Sequence, residues 1–134
     1  VAPINTQVEI DNVLQFKTWA ILGLSNNPDR AAYSVAALLK QKGHTIIPVH
    51  PKAETVHGEK GYATLEEIPH PVDVVDFFIN SELVGRNVDR AIAIGAKAIW
   101  LQLGVIDQQA VDRAEAAGLI AIMDKCPAIE YGKR

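Results

Sequence analysis

One cysteine, Cys126, stands in a chain of 134 residues. A lone thiol excludes a disulfide framework within the chain and argues against a cysteine-built metal centre, and it favours a reducing, cytoplasmic setting. Long apolar runs are missing too, and those present are too short to cross a bilayer. The start at Val1 shows neither a basic stretch nor an apolar segment of the kind that is cleaved from leaders. Nor is there a basic excess: 13 Lys and Arg against 16 Asp and Glu leave a formal charge of −3. A general nucleic-acid binder needs a cationic surface to displace counterions, so that class is disfavoured, although a local basic spot is still permitted.

The length fits one domain spanning residues 1–134, with enough chain to bury a single core. No linker, low-complexity run or internal repeat divides it. Short apolar stretches bounded by turn residues predict buried parallel strands at 19–23, 72–79, 98–103 and 119–123. A fifth strand at 45–49 carries Pro48, which removes a ladder donor and implies a bulge or an edge position. Residues 61–64 supply at most one more short edge strand.

Helical patterns fall between the strands. Residues 33–42 set Val35, Leu38 and Leu39 on one face and stop at Gly43, with Ser34 or Asp29 as the expected cap. Residues 81–94 open on Ser81 as N-cap and turn Leu83, Val84, Val88, Ala91 and Ile92 to the sheet. Residues 107–117 repeat the scheme from an Asp107 cap, and an N-terminal helical extension is expected within residues 1–17, with its pattern at 6–16. Alternation of strand and helix means right-handed crossovers and an α/β fold: a Rossmann-like, doubly wound, mainly parallel sheet of five to six strands with helices on both faces. In such a sheet the first strand lies beside the third, and ligands sit outside the strand carboxyl ends at that switch point.

Ala20-Ile21-Leu22-Gly23-Leu24-Ser25-Asn26-Asn27-Pro28 is the stretch richest in chemical meaning. A turn between a buried strand and a helix gathers backbone N–H groups with about half a unit of positive charge from the helix dipole, which suits a phosphate. Gly23 permits close backbone approach, and Ser25, Asn26 and Asn27 add side-chain donors. The Gly-x-Gly-x-x-Gly dinucleotide fingerprint is broken, because Ser25 replaces its second glycine and Pro28 its third. After the second strand a protein selecting NAD presents an acid to the ribose, whereas this chain has His50-Pro51-Lys52 and so favours a phosphate there. Arg30 could grip a diphosphate with its planar fork.

Further along, Trp100-Leu101-Gln102-Leu103-Gly104 ends a strand with an amide that needs a partner if buried, while Trp100 reads as core. Phe77 and Phe78 point to opposite faces, so only one can border the crevice. Cys126 follows Lys125 at another strand end, but a nucleophile also needs a base. His44, His50, His57 and His70 sit in turns without a Ser or Cys partner, and neither a catalytic triad nor a helical zinc spacing emerges. Asp73 and Asp76 flank a strand start, and no convergent carboxylate pair stands out.

Taken together, Gly23-Leu24-Ser25 with Pro28, Lys42-Gly43-His44 leading to Ile47-Pro48-Val49-His50-Pro51-Lys52, the Trp100 to Gly104 run, Ala117-Gly118-Leu119, and Met123-Asp124-Lys125-Cys126-Pro127 carry a family resemblance. From Trp19 to Tyr131 the chain resembles the small stand-alone CoA-binding proteins, whose domain is similar to the N-terminal domain of the succinyl-CoA synthetase α subunit. The resemblance implies a ligand, coenzyme A or an acyl-CoA, with its diphosphate at Gly23, Ser25 and Asn26, and with Arg30, Tyr33 and Ser34 in the loop and helix that follow. Pro51 and Lys52 would lie near the adenosine 3′-phosphate or the diphosphate, and Phe78, Ile79, Asn80 and Gln102 along the pantetheine arm. Two positions depart from the family pattern: His50-Pro51 stands for Asn-Pro, and Phe78-Ile79-Asn80 lacks an arginine that commonly follows the phenylalanine. The synthetase's phosphorylated histidine belongs to a second domain that this chain does not contain, so ligase activity is not implied.

The resulting expectation is a non-catalytic CoA-binding module with no resident metal, no nucleic-acid or membrane partner, and room for an unidentified protein partner. An NADP-dependent oxidoreductase and a thiol-based CoA redox or acyl carrier working through Cys126 are the competing expectations.

Overall fold

A computed structural model describes residues 5–133; residues 1–4 of the expected extension, and Arg134, lie outside the described residues. Five parallel strands, β1 (Thr18–Leu22), β2 (Thr45–Val49), β3 (Val74–Phe77), β4 (Ala98–Leu101) and β5 (Ile120–Ile122), form one sheet in the order β2-β1-β3-β4-β5. This is the predicted Rossmann-like arrangement, with β1 beside β3 and the winding direction reversing between them. β2 is an edge strand, which explains how it tolerates Pro48. The proline pairs with Ile21 on its inner side, while outside it only its carbonyl is used, accepting from Tyr62 N–H at 2.9 Å. The sixth strand suggested at 61–64 reduces to a single bridge between Val49 and Tyr62.

Because the strands are largely apolar on both faces, with Asp76 of β3 as an exception, the sheet needs two helical layers. On one face α3 (Val84–Ala93) and α4 (Gln108–Ala116) cover Val75, Phe77, Ile99 and Leu101. On the other, α1 (Gln7–Leu14), α2 (Ala31–Gln41) and α5 (Pro127–Gly132) cover Trp19, Ile21, Val74 and Trp100. Trp100 is fully buried, as expected, and its indole N–H donates to the Lys125 carbonyl at 2.9 Å. α1 is tied into this core: Ile10, Val13 and Leu14 are buried, and the Asn5 amide exchanges two hydrogen bonds with the Met123 backbone at 2.8 and 2.9 Å. Val8, off that face, is 67% exposed.

Two helix starts differ from expectation in instructive ways. α2 begins at Ala31, two residues early, and neither Ser34 nor Asp29 caps it; Arg30 is the N-cap residue and makes no side-chain cap bond. Asp29 is instead turned by the Asn27 side chain, which accepts its N–H at 3.0 Å. Ser81 does not cap α3: it lies in a 3-10 turn, Ser81–Leu83, that precedes the helix, and its hydroxyl accepts from Ile106 N–H at 3.0 Å. That turn has three residues per turn, which shifts the helical phase and leaves Leu83 40% exposed rather than packed. Asp107 caps α4 as expected, accepting from Ala110 N–H at 3.0 Å, and α1 has a Thr6–Glu9 capping box.

Candidate functional site

The carboxyl ends of β1, β2 and β3 open into a cleft of about 860 Å³, within the size range of small-molecule sites. Its floor is the turn after β1. Gly23, at φ +89°, donates its N–H to the Val49 carbonyl at 2.8 Å, and Phe78 N–H donates to the Leu22 carbonyl at 2.9 Å. A Cβ at position 23 would stand 2.2 Å from the Phe78 carbonyl oxygen. The close approach that demands glycine is therefore to the β3 exit as well as to any ligand, and it joins the two strand ends that make the switch point.

Above the floor, Ser25, Asn26 and Asn27 lead to Arg30, Ala31 and Ala32 at the start of α2, all of them cleft residues. No side chain caps α2, and in its first turn Tyr33 N–H donates to the Arg30 carbonyl at 3.1 Å while the N–H groups of Ala31 and Ala32 face the cleft end of the helix, where the dipole favours an anion. Pro51 and Lys52 close the β2 side; the Lys52 N–H donates to His50 Nδ1 at 3.1 Å, which fixes the turn and leaves the ammonium group exposed. Phe78, Ile79 and Asn80 form the β3 wall, while Phe77 is buried beneath the α3–α4 layer.

The α3 wall was not foreseen. Arg86, Asn87 and Arg90 line the cleft from this helix, and Arg90 is held by Glu66 at 3.5 Å. The signal was available in the sequence: Arg86 and Arg90 are four residues apart on a helix that starts from the switch-point strand, so they share the face nearest its carboxyl end. Glu54 was also missed, and its carboxylate accepts the Asn26 N–H at 3.2 Å.

An adjoining recess of about 340 Å³ shares Ala31, Phe78, Ile79 and Asn80 with the cleft and continues past Gln102, Leu103, Val105 and Cys126. Gln102 is 5% exposed, and among the described residues its Oε1 has no hydrogen-bond partner, which leaves a buried acceptor facing the recess. Two of the predicted residues line neither space. The Tyr33 ring packs 4.3 Å from His57, whose Nε2 contacts the Tyr33 carbonyl at 2.7 Å, and the Ser34 hydroxyl donates to the Ala31 carbonyl at 3.2 Å. Tyr33 thus anchors the loop that carries Lys52 and Glu54.

The remaining chemistry-bearing groups are structural. His44 is buried between the Phe16 carbonyl, at 2.8 Å, and the Tyr131 hydroxyl; burial lowers its pKa, opposed by its backbone bonds. Asp76 is fully buried in β3 with both oxygens unpartnered, and desolvation drives its pKa well above the usual carboxylate value, only partly offset by the Phe77 backbone. Among the described residues no three His, Cys, Asp or Glu side chains gather as for a metal ion, and no helix is long and apolar enough to cross a membrane.

A doubly wound sheet with an uncapped helix start, cationic walls and an apolar recess at its switch point defines the class: an α/β domain whose cleft suits an elongated, phosphate-bearing ligand. The CoA binding domain family matches residues 17–132, and the chain belongs to it. Among its relatives, the uncharacterized protein YneT of Bacillus subtilis is 33% identical over 122 residues, 90% of each chain. The α subunit of the ADP-forming acetate–CoA ligase II of Pyrococcus furiosus is 31% identical over 81 residues, which are 60% of this chain and 18% of the subunit. The solved structure of a hypothetical protein from Pyrococcus horikoshii superposes with a TM-score of 0.92 at 34% identity, covering 99% of this chain and 96% of that one.

Proposed function

We propose that this chain, acting as one binding domain, holds coenzyme A or an acyl-CoA without transforming it. Membership of the CoA binding domain family supports a CoA-type ligand. The observation that carries the reading is the joining of two unlike spaces: a cationic cleft at the uncapped start of α2, and an apolar recess with an unpartnered Gln102 acceptor. A ligand with phosphates at one end and an amide-bearing aliphatic arm at the other matches both. The turn N–H groups and Arg30 would take the diphosphate, Lys52 the ribose phosphate, and the wall from Phe78 to Asn80 the arm. Gln102 Oε1 would accept an amide N–H from that arm.

The arginine missing at the end of β3 has a counterpart in this arrangement. Arg86 reaches the same cleft from α3 and would supply the anionic contact that Ile79 and Asn80 cannot. Binding without reaction is supported by walls made mainly of amides, cations and aliphatic groups, in which the two acceptors suited to a base are engaged, Glu54 by the Asn26 N–H and His50 Nδ1 by the Lys52 N–H. One observation favours a second reading: Cys126 borders the recess where the thiol end of the ligand would arrive. In that reading the Cys126 thiolate attacks CoA disulfide, forming a protein–CoA mixed disulfide and releasing one CoA thiolate.

Titration calorimetry with CoA, dephospho-CoA, NADP and ATP tests the proposal. CoA is expected to bind most tightly, and Lys52→Ala to weaken CoA about tenfold while changing dephospho-CoA less than threefold, as loss of one charge-assisted contact requires. Tight NADP or ATP binding with no CoA binding at millimolar ligand overturns the proposal, and equal losses for the two CoA forms reject the role of Lys52. Intact mass after incubation with CoA disulfide separates the second reading, which an unmodified Cys126 would rule out.

A further inference from the structure

We infer that Glu54 is an anion built into the ligand's own phosphate turn, which an incoming diphosphate must displace, and that it thereby sets the affinity of the cleft. This rests on the reading of the β1–α2 turn as a diphosphate cradle. The direct observation is the 3.2 Å bond from Asn26 N–H to Glu54 Oε1: a carboxylate occupies one of the backbone donors that the turn would give a phosphate. No cation is paired with it among the described residues, where the ion pairs of the acids near this loop are Lys40–Glu59 at 2.9 Å and Arg90–Glu66 at 3.5 Å. A carboxylate that only balanced charge would be expected beside a guanidinium or ammonium group. This one sits on an amide.

The loop that presents it is firmly held. His50 N–H donates to the Tyr62 carbonyl and Tyr62 N–H to the Pro48 carbonyl, at 3.0 and 2.9 Å, which closes the loop at its base. At its tip Lys40 bonds the His57 carbonyl and pairs with Glu59, while His57 packs on Tyr33. Gly61 lies against the middle: a Cβ there would meet the Glu54 carbonyl oxygen at 2.1 Å. The Glu54 backbone is therefore fixed, and only its side chain can swing away when an anion arrives. Until it does, the carboxylate satisfies a donor; once a diphosphate is seated, the same charge opposes the ligand from the cleft wall. A removable internal anion of this kind keeps binding reversible in a cleft with four cations, Arg30, Lys52, Arg86 and Arg90.

The test uses the full chain, isotopically labelled, with inorganic pyrophosphate followed at the Asn26 amide by NMR and CoA followed by calorimetry. Glu54→Gln, which keeps an acceptor but drops the charge, and Glu54→Ala, which drops both, are each expected to bind pyrophosphate about tenfold more tightly than the wild type. CoA should gain by a similar factor. Unchanged pyrophosphate affinity, or no response of the Asn26 amide in any of the three proteins, overturns the inference. Weaker CoA binding in both variants also overturns it, because Glu54 would then be a direct ligand contact. If pyrophosphate binding tightens while no protein binds CoA, the inference stands and the CoA assignment fails.

Discussion

Replacing Asp76 with valine should make the protein more stable, and the gain should depend on pH. Asp76 lies in β3 with Ile21 and Trp100 as its register neighbours, and it is fully buried; among the described residues neither carboxyl oxygen has a well-formed hydrogen bond, and the adjoining Phe77 backbone offsets burial only in part. A buried polar group without a partner costs about 1–3 kcal/mol, and even buried ion pairs, whose charges are compensated, have been replaced by apolar groups of similar volume with gains of about 1–4 kcal/mol. Valine has one fewer side-chain heavy atom and prefers a strand, so overpacking is not introduced. A net gain of about 2–4 kcal/mol at neutral pH follows. For a chain of 134 residues that corresponds to a Tm increase of roughly 7–14 °C.

The pH dependence has a definite sign. Burial raises the folded-state pKa of Asp76 above its unfolded value of about 3.9, so the folded state binds the proton more tightly. This group's contribution to wild-type stability is fully present below that unfolded pKa and is lost as pH rises toward the folded pKa. The advantage of Asp76→Val should therefore be small near pH 4 and grow toward neutrality, while Asp76→Asn, polar but not titratable, should share the pH trend with a smaller gain. Urea denaturation of the three proteins across that range measures it. A valine variant less stable at every pH, or an advantage that is flat with pH, would refute the reasoning and mean that the carboxyl group has a native partner.

Two further substitutions probe the frame of the cleft. Gly23→Ala should cost about 2–4 kcal/mol and abolish ligand binding, because a Cβ at φ +89° meets the Phe78 carbonyl at 2.2 Å and must push the β1 and β3 ends apart; a binding-competent variant within 0.5 kcal/mol of wild type in denaturant melts contradicts this. Asp107→Ala removes the α4 cap bond to Ala110 and should cost about 1 kcal/mol with ligand affinity unchanged, checked by the same melts and by calorimetry; loss of affinity would place α4 in the site.

The sheet was legible because its strands are short apolar runs between turns, and in an α/β chain that pattern determines parallel pairing, order and the position of the crevice. From this the turn at Gly23, the β2 end at Lys52 and the β3 wall at Phe78 could all be assigned to one cleft. What was not legible depends on side-chain direction across long separations. Arg86 and Arg90 look like the solvated face of an amphipathic helix until the fold lays that face over the switch point. Glu54 stands five residues beyond Val49, where the loop has doubled back, so no strand-end rule reaches it. Asp76 interrupts an apolar run that is buried on both faces, and a strand without alternation gives no sign of which polar residue has water. The caps expected at Ser34 and Asp29 failed for a related reason: pattern places the helix start at Tyr33, whereas the helix begins at Ala31, which puts Ser34 inside its first turn and Asp29 ahead of the N-cap Arg30.

The distribution of charge ties these observations to binding. The chain as a whole carries a formal charge of −3, yet its cleft is lined by Arg30, Lys52, Arg86 and Arg90, the last paired with Glu66, against the carboxylate of Glu54. Local cations of this kind focus the field at the cleft and would favour a small polyanion there. The origin of the cations matters as well. An arginine at a strand end would be fixed by the sheet, whereas Arg86 is exposed and projects from the first turn of α3, so its contact is screened by salt. If Glu54 opposes a diphosphate at the turn, as proposed, the affinity of the cleft becomes a balance between exposed cations and an internal anion. That balance responds to ionic strength and ligand charge more steeply than the rigid backbone cradle alone would.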